Sequence, residues 1–128
     1  MKIDARRSSR VMDMKDILEM LFPNQEKYRA ITTIVLEVLK ENRFMEDYKL
    51  KQYIELKAKE QGFQVSTYYK LMKEYLKPFG LVRYAEGRYY ISKDFGNALR
   101  RMGEAWKAWV ERGEDSGEDN EGNKEKSV

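Results

Sequence analysis

The apolar residues of this chain keep a helical spacing over most of its length and change to a strand spacing once, after Pro78 and Gly80. Residues 81–84 and 88–91 are rich in β-branched and aromatic side chains, and Gly87 lies between the two runs. Such runs around a glycine-containing turn predict a β-hairpin. Because this hairpin lies between helical segments, the sequence predicts a mainly α fold with a small β-hairpin.

Four helical segments precede the predicted hairpin and one follows it. In each of them apolar residues recur every three or four positions, which is the pattern of a helix with one buried face. Asp13 is a suitable N-cap for the first helix, and Pro23 ends it. The remaining helices are predicted at about residues 25–42, 46–61 with Gly62 as C-cap, 66–77 with Ser66 as N-cap, and 94–112 after Ser92.

Length and composition exclude many classes of function. A chain of 128 residues builds one modest core, and this one contains neither Cys nor His. Thiolate and imidazole catalysis and nearly all transition-metal sites are therefore excluded, and we expect a protein that is not an enzyme, with no cofactor and no small-molecule ligand. No apolar run reaches the roughly 20 residues of a membrane span, and no secretion signal is recognisable, so we expect a cytoplasmic protein.

The charges are divided unequally along the chain. Residues 1–110 hold 22 basic and 15 acidic side chains, a net charge of +7, whereas residues 111–128 hold 3 basic and 7 acidic ones, a net charge of −4. We expect a basic flexible arm over residues 1–12, a domain over 13–112 and an acidic disordered tail over 113–128. The basic body predicts a polyanionic partner. The high share of charged residues, 37%, with no Cys also favours a thermophilic, archaeal origin.

Three segments resemble the winged helix-turn-helix superfamily over about residues 25–110. They are QGFQVS between the two middle helices, YLKPFGLVRY before the hairpin and YYISKDFGNAL after it. The resemblance implies a winged helix with an extra N-terminal helix and a long C-terminal helix, similar to small archaeal and bacterial regulators. It further implies that the helix before the hairpin enters a DNA major groove while the hairpin, or wing, lies beside the backbone or minor groove.

The surface implied by the resemblance is basic. On a 100° wheel Lys70, Lys73 and Lys77 share the outer side of the fourth helix, where ammonium groups suit phosphate contacts. This outer side carries no Arg or Asn that could read base edges in bidentate fashion, so we expect binding dominated by backbone and shape. The predicted DNA-binding residues are Gln64, Ser66, Thr67, Tyr69, Lys70, Lys73, Lys77, Arg83 and Arg88.

Two further groups of residues have alternative interpretations. The hairpin residues Tyr84, Tyr89 and Tyr90 could stack on single-stranded bases, but strand alternation favours Tyr89 and Ile91 pointing into the core with Val82 or Tyr84. The basic arm could enter a minor groove, or it could be an ordinary disordered end. Its arginines are Arg6, Arg7 and Arg10.

The last predicted helix carries an apolar seam with steps of four, three, four and three residues, which is the a/d pattern of a short coiled coil. The seam predicts a homodimer, and its residues are Phe95, Leu99, Met102, Trp106 and Trp109. The alternatives are that the seam packs on its own domain or is covered by the first helix.

The sequence therefore predicts a dimeric protein that binds double-stranded DNA in the nucleoid, as a transcription regulator or an architectural protein. The alternative is a winged-helix module for protein–protein interaction, in which the wing and the fourth helix would dock on a partner. Exposed lysines on the fourth helix favour DNA over that alternative.

Overall fold

The computed structural model describes the backbone of residues 13–120 and the side chains of residues 13–113. The predicted arm over residues 1–12 lies outside the described residues. Backbone contacts divide the chain into two units, residues 1–92 and residues 93–128. The described part of the first unit contains four α-helices and three strands, and that of the second is one long helix.

The order of elements is that of a winged-helix-like arrangement. The helices are α1 (Met14–Leu21), α2 (Glu26–Asn42), α3 (Asp47–Gln61), α4 (Val65–Leu71) and α5 (Asp94–Asn120). The strands are β1 (Phe44–Glu46), β2 (Val82–Ala85) and β3 (Arg88–Ile91), and a π-helical turn over Met72–Leu76 continues α4. The predicted mainly α fold with a hairpin is confirmed.

The predicted stop and start signals act as expected at both ends of α1 and at the end of α3. Asp13 and Asp16 form a reciprocal capping box, in which each carboxylate accepts the backbone N–H of the other residue at 3.0–3.1 Å. Gly62 ends α3 with φ 77° and ψ 38°, a left-handed conformation that glycine adopts without strain, and its N–H donates to the Ala58 carbonyl.

The sheet has a third strand that the sequence did not predict. β1 pairs antiparallel with β3, which in turn pairs antiparallel with β2, giving the order β1-β3-β2. Arg43 ends α2 with φ 71° and turns the chain directly into β1. The Asp47 N–H then donates to the Gly87 carbonyl at 3.0 Å, which ties the start of α3 to the hairpin turn.

The core of the first unit forms where the inner faces of the helices meet one face of the sheet. Phe22 at the end of α1 is fully buried and lies edge-on against Tyr28 and Tyr75, with ring centroids 5.6 Å apart in both pairs. The extra N-terminal helix is therefore anchored in this core. The largest fully buried side chains are Phe22, Ile31, Leu39, Leu50, Ile54, Leu71, Leu76, Val35 and Thr32.

The helix of the second unit is longer than expected. Its backbone is helical from Asp94 to Asn120, whereas the sequence predicted an end near Arg112 and disorder from residue 113. Once a helix has nucleated, each added residue costs little, and Glu is a good helix former even in an acidic segment. Residues 121–128 lie outside the described part of the chain.

Candidate nucleic-acid interface

The start of α4 presents a short row of polar side chains. The helix begins at Val65, and Gln64 occupies the N-cap position in an extended conformation, so the prediction of Ser66 as N-cap is wrong. The chain enters the helix two residues earlier, because the Thr67 N–H already donates to the Gln64 carbonyl at 3.0 Å. The exposed Ser66 hydroxyl instead donates to Oε1 of Gln64 at 3.4 Å. Both polar side chains therefore lie at the tip of the helix.

Tyr69 on the outer side of α4 forms a pair with Lys51 of α3. The Lys51 ammonium lies 5.5 Å from the centroid of the Tyr69 ring, a cation–π distance, and the pKa of Lys51 is raised mainly by its hydrogen bond to Tyr69. Lys51 was not predicted, because nothing in the local sequence separates it from the other lysines of α3. The packing of α3 against α4 places it beside Tyr69, so Lys51 belongs to the candidate interface as well.

The three predicted lysines are all exposed, and they extend from α4 through the turn that follows it: Lys70 lies on α4, Lys73 in the π-helical turn and Lys77 directly after that turn. A fixed 100° step fails across Met72–Leu76, where the backbone is π-helical and the Lys77 N–H donates to the Met72 carbonyl five residues back at 3.1 Å. The Lys77 ammonium lies 5.7 Å from the ring centroids of both Tyr84 and Tyr89. The Lys77 ammonium therefore lies against the hairpin.

The hairpin turn itself has the geometry expected of a tight wing. Glu86 and Gly87 connect β2 to β3 with φ values of 55° and 76°. Two successive positive φ values are those of a type I′ turn, whose twist matches that of antiparallel strands. The turn fixes the register in which Ala85 pairs with Arg88.

This register assigns the hairpin side chains to two faces. Residues directly opposite each other on paired strands point to the same face, so Tyr84 and Tyr89 share one face with the pair Val82 and Ile91. Tyr89 and Val82 are buried, as expected, and burial raises the pKa of Tyr89. The prediction that Ile91 points into the core is wrong, because it is 41% exposed at the strand end.

The other face of the sheet carries a row of arginines and aromatic rings. The Arg83 guanidinium lies 4.8 Å from the centroid of the Tyr90 ring, and the Arg88 guanidinium lies 4.5 Å from that of Phe44. The Tyr90 and Phe44 rings are adjacent, with centroids 5.8 Å apart. Stacking on rings holds each guanidinium flat and limits its rotation, which leaves its N–H edge for a planar acceptor such as phosphate.

The predicted surface therefore consists of two parts. Lys77 packs on the tyrosine face of the hairpin, and the two predicted arginines lie on the opposite face. Within the part of the chain that the structure describes, none of the five predicted cations pairs with a carboxylate. These cations are Lys70, Lys73, Lys77, Arg83 and Arg88.

The five predicted dimer residues lie along α5. Phe95 and Leu99 are half-buried, whereas Met102, Trp106 and Trp109 are 60%, 65% and 47% exposed. The two tryptophan rings stack on each other within one chain, with centroids 5.3 Å apart and an interplanar angle of 29°. The far part of the seam thus presents its apolar side chains to solvent.

The described residues contain no cluster of acidic side chains that could hold a metal ion. Over the same residues, no helix has both the length and the apolarity needed to cross a membrane. The chemistry available at the hairpin and α4 is that of unpaired cations, hydroxyls, an amide and stacked rings, which suits oxyanion contacts. Comparison of the chain with protein-family models, curated proteins and solved structures finds no match.

Proposed function

We propose that this protein belongs to the winged helix-turn-helix superfamily and binds duplex DNA through α4 and the hairpin. The observation that carries the proposal is the set of five cations on these two elements, none of which is neutralised by a carboxylate within the described residues. Each such cation that meets a phosphate releases a condensed counterion, which is the main source of sequence-independent affinity for DNA.

The side chains of α4 and the hairpin favour contacts with the DNA phosphate backbone over contacts that read base edges. Lysine offers a point charge without bidentate geometry, and Gln64 is the one amide at the tip of α4. The two arginines are held on aromatic rings of the sheet, on the face opposite to the one that Lys77 contacts. We therefore propose an architectural protein of the nucleoid, or a regulator with limited sequence preference, in the cytoplasm.

The proposal is tested by removing charge from α4 and from a matched control surface. The double variant Lys70→Ala, Lys73→Ala is expected to weaken binding to random and genomic duplexes alike, and to reduce the slope of log affinity against log salt by about 2. The control Lys27→Ala, Lys40→Ala removes the same charge from exposed positions on α2 and should lower the slope far less.

Equal slopes for the two double variants would contradict the assignment of α4. The hairpin is tested separately with Arg83→Lys and Arg88→Lys, which keep the charge but lose the planar fork. A loss of affinity in these variants, with unchanged circular dichroism, is the result expected if the stacked guanidinium groups contact phosphate.

A second candidate is a module for protein–protein interaction, supported by an open groove between α3 and the start of α4. Leu56 on its wall is 54% exposed, and Phe63 and Val65 add apolar surface. Ala58 is the fourth apolar residue of the lining, and the polar ones are Gln52, Glu55 and Lys59, so the groove has a mixed lining. We place this candidate second because the groove offers four apolar side chains with charged residues among them, whereas the cations extend over two elements.

A further inference from the structure

The apolar face of α5 differs from the faces of the other helices in that its largest side chains are the most exposed ones. Met102, Trp106 and Trp109 follow one another along the seam at four- and three-residue steps. The protein contains two tryptophans in all, and both lie here. Exposure of tryptophan to water is unfavourable, so we expect another apolar surface to pack against this face.

We infer that the face is covered by the same face of a second copy of the chain, with the two α5 helices antiparallel. The distribution of charge around the helix supports this pairing. The charged residues between 95 and 111 all lie on the side opposite the seam, where Arg100 and Glu104 form an ion pair at 3.6 Å. They are Arg100, Arg101, Glu104, Lys107 and Glu111. A surface without charge lacks the cations that hold a nucleic-acid backbone, and it matches another copy of itself.

The residues that flank the seam are small. Gly96 and Gly103 lie along one edge, and Ala98 and Ala105 lie along the other. A Cβ atom added at either glycine would meet nothing within 4 Å. Small flanking residues let two helix backbones approach closely, which brings the larger seam side chains into mutual contact.

The pairing also removes apolar area from water. At exposures of 65% for Trp106 and 47% for Trp109, the four tryptophans of two copies have roughly 340–560 Å² left to bury, at 150–250 Å² for a whole side chain. The exposed parts of Phe95, Leu99 and Met102 in both copies add to this area. The interface is therefore small, at most near the lower end of the roughly 1,200–2,000 Å² of a stable protein interface, so we expect a dimer that dissociates on dilution.

The antiparallel direction follows from the sizes of facing residues. We place the midpoint of the pair at the height of Glu104, which itself lies on the outer side of the helix. Met102 of one copy then faces Trp106 of the other, Leu99 faces Trp109, and Phe95 faces Gly113. Large residues then alternate with smaller ones along the whole seam, which fills space evenly. In a parallel pair each residue would face itself, with two tryptophan layers stacked beside a gap at Gly113.

The pairing is tested by sedimentation and by tryptophan emission, which reports the seam alone. The wild-type protein is expected to be a dimer whose emission shifts to longer wavelength on dilution. The variant Trp106→Ser, Trp109→Ser should be a monomer with near-native circular dichroism. The control Arg101→Ser, Lys107→Ser, on the charged side of α5, should remain a dimer.

If the double tryptophan variant fails to fold, Met102→Glu places a charge at the centre of the seam and decides the question by the same measurement. A wild-type monomer at high micromolar concentration, or a dimer that survives both seam variants, would overturn the proposal.

Orientation is measured in the full chain, which has no native Cys, by spin labels on Asn97→Cys or Glu104→Cys.

In the antiparallel dimer the two labels at position 97 are separated along the helix axis by 14 residues, about 21 Å, whereas those at position 104 lie level with each other. Equal distances at the two positions would overturn the antiparallel direction.

Discussion

Thr32 is the one buried side chain among the described residues whose polar atom has no hydrogen-bond partner. It is fully buried on α2, and its hydroxyl oxygen is unpaired. The adjacent Thr33 instead donates its hydroxyl to the Arg29 carbonyl at 2.9 Å, as threonine commonly does in a helix. Two neighbouring threonines thus differ in burial and in whether the hydroxyl has a hydrogen-bond partner.

We expect Thr32→Val to stabilise the protein. The change keeps the shape of the side chain and removes a buried polar group, whose unpaired burial costs about 1–3 kcal/mol. Thr33→Val is the matched control and should lower the free energy of unfolding by about 1 kcal/mol, since it removes a formed hydrogen bond. Urea denaturation measures both, and a loss of stability in Thr32→Val would show that its hydroxyl is satisfied in solution.

At the scale of elements, the sequence predicted what depends on local pattern and missed what depends on contacts between distant segments. Helix periodicity, the Asp13 cap and Gly62 were read correctly. β1 was missed because three residues are too few for a strand pattern, and because Arg43 ends α2 without the glycine that would mark such a turn. The π-helical turn after α4 gives no recognised sequence signal either.

The same division holds for the candidate interface. The exposure of Lys70 and Lys73 and the burial of Tyr89 followed from the sequence, because they depend on local spacing. The stacking of Arg88 on Phe44, the direction of Lys77 and the partnership of Lys51 with Tyr69 did not. Each of these contacts joins residues from different elements, so only the packing of those elements could reveal it.

The attachment of α1 to the core, again a contact between elements, predicts that Phe22→Ala strongly destabilises the protein. The ring is fully buried against Tyr28 and Tyr75, and the Phe22 carbonyl accepts a hydrogen bond from Nη1 of Arg29 at 2.6 Å. Removal of the ring in Phe22→Ala should lower the free energy of unfolding by about 3–5 kcal/mol. Met14→Ala, at the exposed start of α1, is the control and should change stability by less than about 0.5 kcal/mol. Similar small losses for both would mean that α1 contributes little to the core.

At the scale of the whole molecule, the two proposals make a joint prediction that neither makes alone. Each chain offers one set of cations on α4 and the hairpin, and pairing through α5 would link two such sets. Linked sites raise the effective concentration of the second site once the first is bound, so affinity gains without any new contact.

The gain should depend on the length of the duplex. On a duplex of about 40 base pairs, long enough for two sites, the wild-type protein is expected to bind at least about 100-fold more tightly than Trp106→Ser, Trp109→Ser. On a duplex of about 12 base pairs, which admits one site, the two proteins should bind alike, because the tryptophans touch no DNA. Fluorescence anisotropy at fixed salt measures both. A loss on the short duplex would assign the tryptophans to the DNA contact itself, and equal binding on the long duplex would mean that the two sites of a dimer cannot engage one DNA together.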